Sequence, residues 1–193
     1  MRLLIELVKK ENTTLYIGSM DISKAFDRVS RLLLLKKLIR LGVGKCMLQA
    51  LKKLYRITNC IIKFGGKMSL IFPMTCGIRP GAASSVLLFI AFMDDLFHYM
   101  EDKCIGEALL GDIHALIHAD DTLILSTNKT AFIHKCNVAM EFFNKNKLKL
   151  NRKKCQYTVI NPPQELSKGI SGTCQWSPQV HLQIEVSWYL HNQ

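Results

Sequence analysis

Apolar residues along this chain recur at two spacings. Leu15-Tyr16-Ile17-Gly18-Ser19-Met20 has the length of a strand and runs into Asp21-Ile22-Ser23-Lys24, where the chain turns toward a helix. Ser30 then stands as an N-cap before Leu33, Leu34, Leu38 and Leu41 at helical spacing, closed by Gly42, and a second helix is expected over Lys45 to Tyr55. Asn59 to Phe64 and Met68 to Phe72 flank Gly65-Gly66-Lys67 and predict a hairpin, because tandem glycine admits positive φ. A further helix is expected from just after Gly81 to Glu101. Ala115 to Ala119 and Thr122 to Leu125 are strand-length apolar runs with Asp120-Asp121 between them. Asn128 caps a helix reaching Asn146, and Gln156 to Ile160 forms a last strand before Asn161-Pro162-Pro163 interrupts the pattern. No internal repeat is visible. Strands and helices mix without strict alternation, which predicts an α+β fold.

An acidic pair at a hairpin tip contributes nothing to packing. It can present oxygen to hard cations such as Mg²⁺, which prefer carboxylate, phosphate and water ligands, although a lone Asp-Asp turn is also an ordinary solvated turn. Asp21 changes the picture, because it too closes an apolar strand. If the two strands pair, Asp21 and Asp120 converge at the edge of one sheet. Such carboxylates can bridge two metal ions roughly 3.5–4 Å apart and so stabilise both oxygens of a phosphoryl transfer. Taken alone, Asp21 is also a plausible turn or N-cap acid.

Four segments follow one another in a fixed order. They are the strand ending in Asp21-Ile22-Ser23-Lys24-Ala25-Phe26-Asp27, the stretch Gly77-Ile78-Arg79-Pro80-Gly81 to Phe89, the Ala119-Asp120-Asp121 hairpin, and Leu148-Lys149-Leu150-Asn151-Arg152-Lys153-Lys154. Together they resemble motifs A, B, C and D of the reverse transcriptases of non-LTR (LINE-class) retrotransposons, over residues 15 to 160. The resemblance implies a polymerase palm, an antiparallel sheet packed on helices, with incomplete fingers and no thumb. Residues 1–160 would be a partial palm domain and residues 161–193 a divergent or truncated tail. In that tail Val186-Ser187-Trp188-Tyr189-Leu190 resembles the start of the family's primer-grip strand, with His191 where glycine is usual.

The same resemblance implies an RNA-directed DNA polymerase that adds dNTPs to a DNA primer on an RNA template. Asp21 and Asp120 would share two Mg²⁺ ions, with Mn²⁺ as the alternative ion. The Ile22 carbonyl would be an additional ligand, and Asp121 would complete the acidic cluster. Phe26 would be the steric gate against a 2′-hydroxyl, although taken singly it also reads as a core aromatic. Arg79 and Gly81 would contact phosphate or nucleotide, the glycine by permitting close backbone approach; read alone, this is an ordinary loop-helix junction. Lys154 would donate a proton near the leaving pyrophosphate, with Arg152 and Lys153 as adjacent alternatives. Pro80 departs from the family's Arg-Gln-Gly pattern by standing in the Gln place, where it removes a backbone donor and fixes φ. That departure supports a second reading, a catalytically inactive nucleic-acid-binding remnant.

Composition bounds these readings. With 193 residues, 49% of them hydrophobic, the chain can bury one substantial core. The net charge of +11 is unevenly spread. Lys24, Arg28, Arg31, Lys36, Lys37, Arg40, Lys45, Lys52, Lys53 and Arg56 face the single acid Asp27, and the interval from Lys129 to Lys154 is also basic. Asp94, Asp95, Glu101, Asp102, Glu107, Asp112, Asp120 and Asp121 crowd one stretch. Basic surface around an acidic centre suits phosphate neutralisation with counterion release; a solvated lysine-rich helix face is the alternative. Seven cysteines without a C-x-x-C pair argue against a disulfide framework or zinc site and for a reducing compartment, nuclear or cytoplasmic, not secreted. Leu3 to Val8 is short for a secretory segment, and Val86 to Met93 is far below the roughly 18 apolar residues of a membrane span. His114 and His118, about 13 Å apart if both lie on one strand, are too distant to share an ion, which disfavours a two-metal nuclease or phosphatase. Nothing in the sequence sets an oligomeric state.

Overall fold

The computed structural model describes residues 1–56, 58–79, 83–118 and 120–162. The expectations placed on Pro80, Gly81 and the tail from Pro163 onward lie outside the described residues. The described residues divide into two compact units: Met1–Ser23, Leu96–Lys145 and 149–162 form one, and Lys24–Asp95 with Asn146–Leu148 form the other.

The first unit is an α+β structure. Its strands β1 (Leu15–Asp21), β6 (Ala115–His118), β7 (Asp121–Ser126) and β8 (Gln156–Ile160) form one sheet in the order β6-β7-β1-β8, every pair antiparallel. The helix α7 (Lys129–Lys145) covers one face and buries Phe132, Cys136, Ala139, Phe142 and Phe143, spaced three and four apart. Asn128 caps it as the sequence predicts, its Oδ1 accepting from the Thr130 and Ala131 amides at 2.8 and 3.1 Å. Gly18 sits in mid-strand because α7 comes so near: a Cβ there would lie 2.8 Å from Cζ of Phe132. The opposite face is covered at one end by α1 (Arg2–Lys10), where Val8 joins Leu15, Leu110 and Leu125 in a core flanked by Leu4 and Ile17. The apolar Leu3 to Val8 run is therefore helical, a role its length did not announce. Lys135 of α7 is 1% exposed and pairs with Glu107 at 2.5 Å.

The second unit is mainly helical. After the short α2 (Ala25–Arg28), Ser30 caps α3 (Arg31–Arg40) by accepting from the Leu33 amide, and α4 (Lys45–Arg56) follows. Leu34 and Leu38 are buried on α3 as their spacing predicts, whereas Leu41 is exposed. The expected hairpin forms as two short ladders. One pairs β2 (Asn59–Cys60) with β5 (Phe72–Pro73), the other β3 (Lys63–Phe64) with β4 (Lys67–Met68). Cys60 opposes Phe72 but Lys63 opposes Met68, so the second strand carries one extra residue, a bulge. Ser69 sits there and accepts the Ile62 amide on its own Oγ at 2.9 Å. Gly65 and Gly66 at the tip have φ of 56° and 76°, the pair of positive values that a two-residue turn needs.

The helix expected from Gly81 to Glu101 is two helices, α5 (Ala83–Met93) and α6 (Asp95–Glu101). The break falls at Asp94-Asp95, where the Asp95 carboxylate is held by Arg40 at 2.5 Å and Lys37 at 3.3 Å. Among the described residues no helix is long and apolar enough to cross a membrane.

Candidate active site at the end of the central sheet

Strand pairing decides which carboxylates meet. The β1–β7 register ends with Asp21 directly opposite Asp121, both on the face that α7 does not cover. Cross-strand partners have Cβ atoms about 4.5–5.5 Å apart, and like charges in that position repel. Asp120 immediately precedes β7 in the hairpin tip and is exposed. The β1–β7 ladder ends at this pair, and Ile22 follows it on β1 as Asp120 precedes it in the hairpin tip. Ile22 also bridges Leu150, and the flanking bonds run from the Ser23 amide to the Lys149 carbonyl and from the Asn151 amide to the Asp21 carbonyl. Those bonds use the neighbours' peptide groups, so the Ile22 carbonyl is directed to the strand's other edge, on the side of Asp120.

The turn after Leu150 brings one cation in. Asn151 accepts from the Lys154 and Cys155 amides at 2.9 and 3.1 Å, and the turn is tied to Asp21 by the Asn151 amide. Lys154 Nζ lies 3.9 Å from Asp21 Oδ1. Of the three basic residues in that turn, Lys154 is thus the one set against the acidic centre. His118, which its distance from His114 had set aside as a shared ligand, faces Asp121 across the β6–β7 pair and is exposed. His114, just before β6, is buried; burial pushes its imidazole pKa down, and Lys135 pushes the same way. This agrees with a packing role.

Among the described residues no three His, Cys, Asp or Glu side chains stand close enough to hold a metal ion as they are placed. The donor chemistry nonetheless fits a hard divalent cation. The opposed carboxylates of Asp21 and Asp121, that of Asp120 in the hairpin tip and a backbone carbonyl are all oxygen donors, and among the described residues the cation paired with Asp21 is the Lys154 ammonium, at the outer limit of an ion pair.

Phe26, Arg79 and Gly81 do not belong to this unit. Phe26 is half-buried and its ring lies 4.9 Å from that of Phe89 on α5. Arg79 is exposed, with its guanidinium donating to the Leu54 carbonyl at 3.4 Å, while its own carbonyl accepts from Ser85 Oγ at 2.5 Å. Gly81 lies outside the described residues.

The basic segment from Lys24 to Arg56 is less available than its sequence suggests. Arg31 is committed to backbone carbonyls, Lys37 is buried against Phe92, and Arg40 pairs with Asp95. Burial pushes the Lys37 ammonium pKa down, and Asp95 opposes that push. Lys24, Arg28, Lys36, Lys45, Lys52, Lys53 and Arg56 remain exposed.

Residues 1–182 match the family model described as reverse transcriptase (RNA-dependent DNA polymerase). The chain belongs to the reverse transcriptase family. It is 26% identical over 153 residues to the retrovirus-related Pol polyprotein from type-1 retrotransposable element R2 of Popillia japonica, covering 78% of this chain and 25% of that protein. It is likewise 26% identical over 147 residues to the polyprotein from type-2 retrotransposable element R2DM of Drosophila melanogaster, covering 75% of this chain and 14% of that one. The chain thus spans a quarter or less of these relatives.

Solved telomerase structures share the fold. Apo telomerase from Candida tropicalis truncated from the C-terminal domain superposes with a TM-score of 0.59 at 18% identity, over 84% of this chain and 34% of that one. Telomerase from Candida albicans in complex with a fragment of telomeric RNA gives 0.56 at 14% identity, over 82% of this chain and 30% of the other. The non-LTR resemblance and the partial palm-like α+β fold both stand.

Proposed function

We propose that this chain is the palm segment of a retroelement polymerase, adding deoxynucleotides to a primer on an RNA template by two-metal phosphoryl transfer. The observation that carries this reading is the Asp21–Asp121 register, which sets two like charges opposite each other at the end of the sheet, with Asp120 next in the chain. Opposed carboxylates repel, and a bound cation relieves that repulsion. Asp21, Asp120 and the Ile22 carbonyl would hold two Mg²⁺, which when bound neutralise charge developing on the attacking and leaving oxygens. Asp121 adds negative charge beside them. Lys154, 3.9 Å from Asp21, would donate a proton to, or stabilise, a leaving phosphate oxygen. Phe26, braced by Phe89, would exclude a 2′-hydroxyl, and Arg79 and Gly81 would line the nucleotide side. Residues 1–160 act as the partial palm domain, with the rest of the chain as a divergent tail.

The test is incorporation of dTTP on poly(rA)/oligo(dT) with Mg²⁺, repeated with UTP. Mg²⁺-dependent dTTP incorporation is expected, falling to background in Asp21→Asn; Phe26→Val should retain it and gain use of UTP. Incorporation undiminished in Asp21→Asn would overturn the assignment. Pro80 favours a second reading, nucleic-acid binding without catalysis. Salt-sensitive duplex binding with no incorporation by the unmodified chain decides for it.

A further inference from the structure

Arg31 opens α3 in a stretch whose basic residues suggest phosphate binding, yet its guanidinium is turned onto the protein's own backbone. Nε donates to the Gly77 carbonyl at 2.8 Å, and Nη1 donates to the Met74 and Tyr55 carbonyls at 2.7 and 3.0 Å. Nη2 donates to the Cys76 carbonyl at 3.2 Å, and the guanidinium lies 5.1 Å from the centre of the Tyr55 ring. Only a planar fork with five donors can serve so many acceptors from one side chain; an ammonium is a single point with three.

The segment it grips leads to Arg79, and two backbone bonds fasten the same segment to the chain around Phe26. The Gly77 amide donates to the Val29 carbonyl at 2.8 Å and the Ile78 amide to the Phe26 carbonyl at 3.0 Å. Gly77 has φ of +82°, and a Cβ there would lie 2.8 Å from the Asp27 carbonyl oxygen, so the two backbones touch. Further along, Ser85 holds the Arg79 carbonyl. The 74–79 loop is therefore held at Met74, Cys76, Gly77, Ile78 and Arg79, with Arg31 binding three of its carbonyls.

We infer that Arg31 is a positioning residue for nucleotide selection, a latch that fixes the 74–79 loop against the Phe26 backbone and so sets the spacing between Phe26 and the nucleotide-contacting side of that loop. This rests on the polymerase reading above. Arg31 contacts no substrate. It acts through the loop, so its loss weakens dTTP binding and blurs the choice of sugar while the chemistry of the aspartates is untouched.

The test compares the unmodified chain with Arg31→Lys, which keeps the charge, and Arg31→Ala, which does not. Amide exchange at Gly77 and Ile78 should quicken by about tenfold or more in both variants, with the β1 and β7 amides unchanged as the control for folding. On template-primer, the dTTP concentration for half-saturation should rise about tenfold and dTTP-over-UTP preference fall, with the maximal rate within about twofold. Charge alone predicts rescue by lysine; a latch predicts none. Unchanged exchange in both variants overturns the inference, as does full rescue by lysine. Loosened exchange with unaltered dTTP affinity and sugar preference also overturns it, leaving Arg31 a stabilising residue only. Unmodified chain that binds no dTTP overturns the polymerase reading, and this inference with it. Unmodified chain that binds dTTP, with the Arg31→Lys variant binding it equally, overturns this inference alone.

Discussion

Glu107 shows how much one side chain can hold at this scale. Burial pushes its carboxyl pKa up, but bonds from Lys135, from Thr127 through hydroxyl and amide, and from Ser126 outweigh that and hold it below the ordinary value. A carboxyl lowered on folding contributes stability that is fully present above its unfolded value, about 4.3, and is lost as pH falls through its lower folded value. Acid unfolding followed by circular dichroism should therefore lose stability below about pH 4, and Glu107→Gln should flatten that loss. At pH 7 the same variant should lose about 3–5 kcal/mol in urea unfolding, because Lys135 stays buried without its partner. Glu141, whose pKa is lowered to about 2 by Lys103, Tyr99 and Lys145, is exposed. Its share of the acid dependence should vanish in molar salt, whereas that of Glu107 should persist. Glycine provides a second contrast. Gly77→Ala meets both a positive φ and the Asp27 backbone, while Gly65, at φ +56°, has open space around it. Urea unfolding should show a loss of about 1 kcal/mol for Gly65→Ala and a distinctly larger one for Gly77→Ala.

Among the elements, α7 and β1 depend on each other most closely. Phe132 lies over Gly18 and packs against Tyr16, with ring centres 5.8 Å apart. Gly18→Val should displace that ring and lose about 1–3 kcal/mol in thermal or urea unfolding; Asn128→Ala should lose about 1 kcal/mol by uncapping the same helix. The elements easiest to read in the sequence were those with a local signal. Ser30 and Asn128 cap where their side-chain oxygens precede an apolar stripe, and Gly65-Gly66 turns where only positive φ closes a two-residue loop. Elements governed by distant partners were not legible. The split between α5 and α6 coincides with Asp95 answering Lys37 and Arg40, far away in sequence. The hairpin bulge follows from Ser69 substituting for a strand partner, and α1 is recognisable only once Val8 has a core to enter. The site was legible in the same uneven way. Asp21 and Asp120-Asp121 mark strand ends, but the register that sets Asp21 opposite Asp121, and His118 opposite Asp121, is written in pairing rather than in either strand alone. Arg31 carried no signal at all, since a guanidinium bound to carbonyls has the same letter as one bound to phosphate.

For the whole molecule, charge and chemistry separate. The exposed cations on α4, Lys52, Lys53 and Arg56, stand in the helical unit, while the carboxylates close the sheet of the other. Replacing those three by alanine should weaken duplex binding and lower the slope of log K against log salt by up to about 0.9 per lost phosphate contact. Asp120→Ala with Asp121→Ala should leave that slope intact. At this scale we propose a metal-dependent polymerisation centre at the carboxylate end of the sheet. The most direct measurement is Mg²⁺-dependent primer extension on poly(rA)/oligo(dT) by the unmodified chain and by the Asp120→Ala, Asp121→Ala double variant, at matched duplex occupancy. Incorporation by the unmodified chain that the double variant loses, with duplex binding retained, is the predicted result. Incorporation by both, or by neither while duplex binding persists, would contradict it.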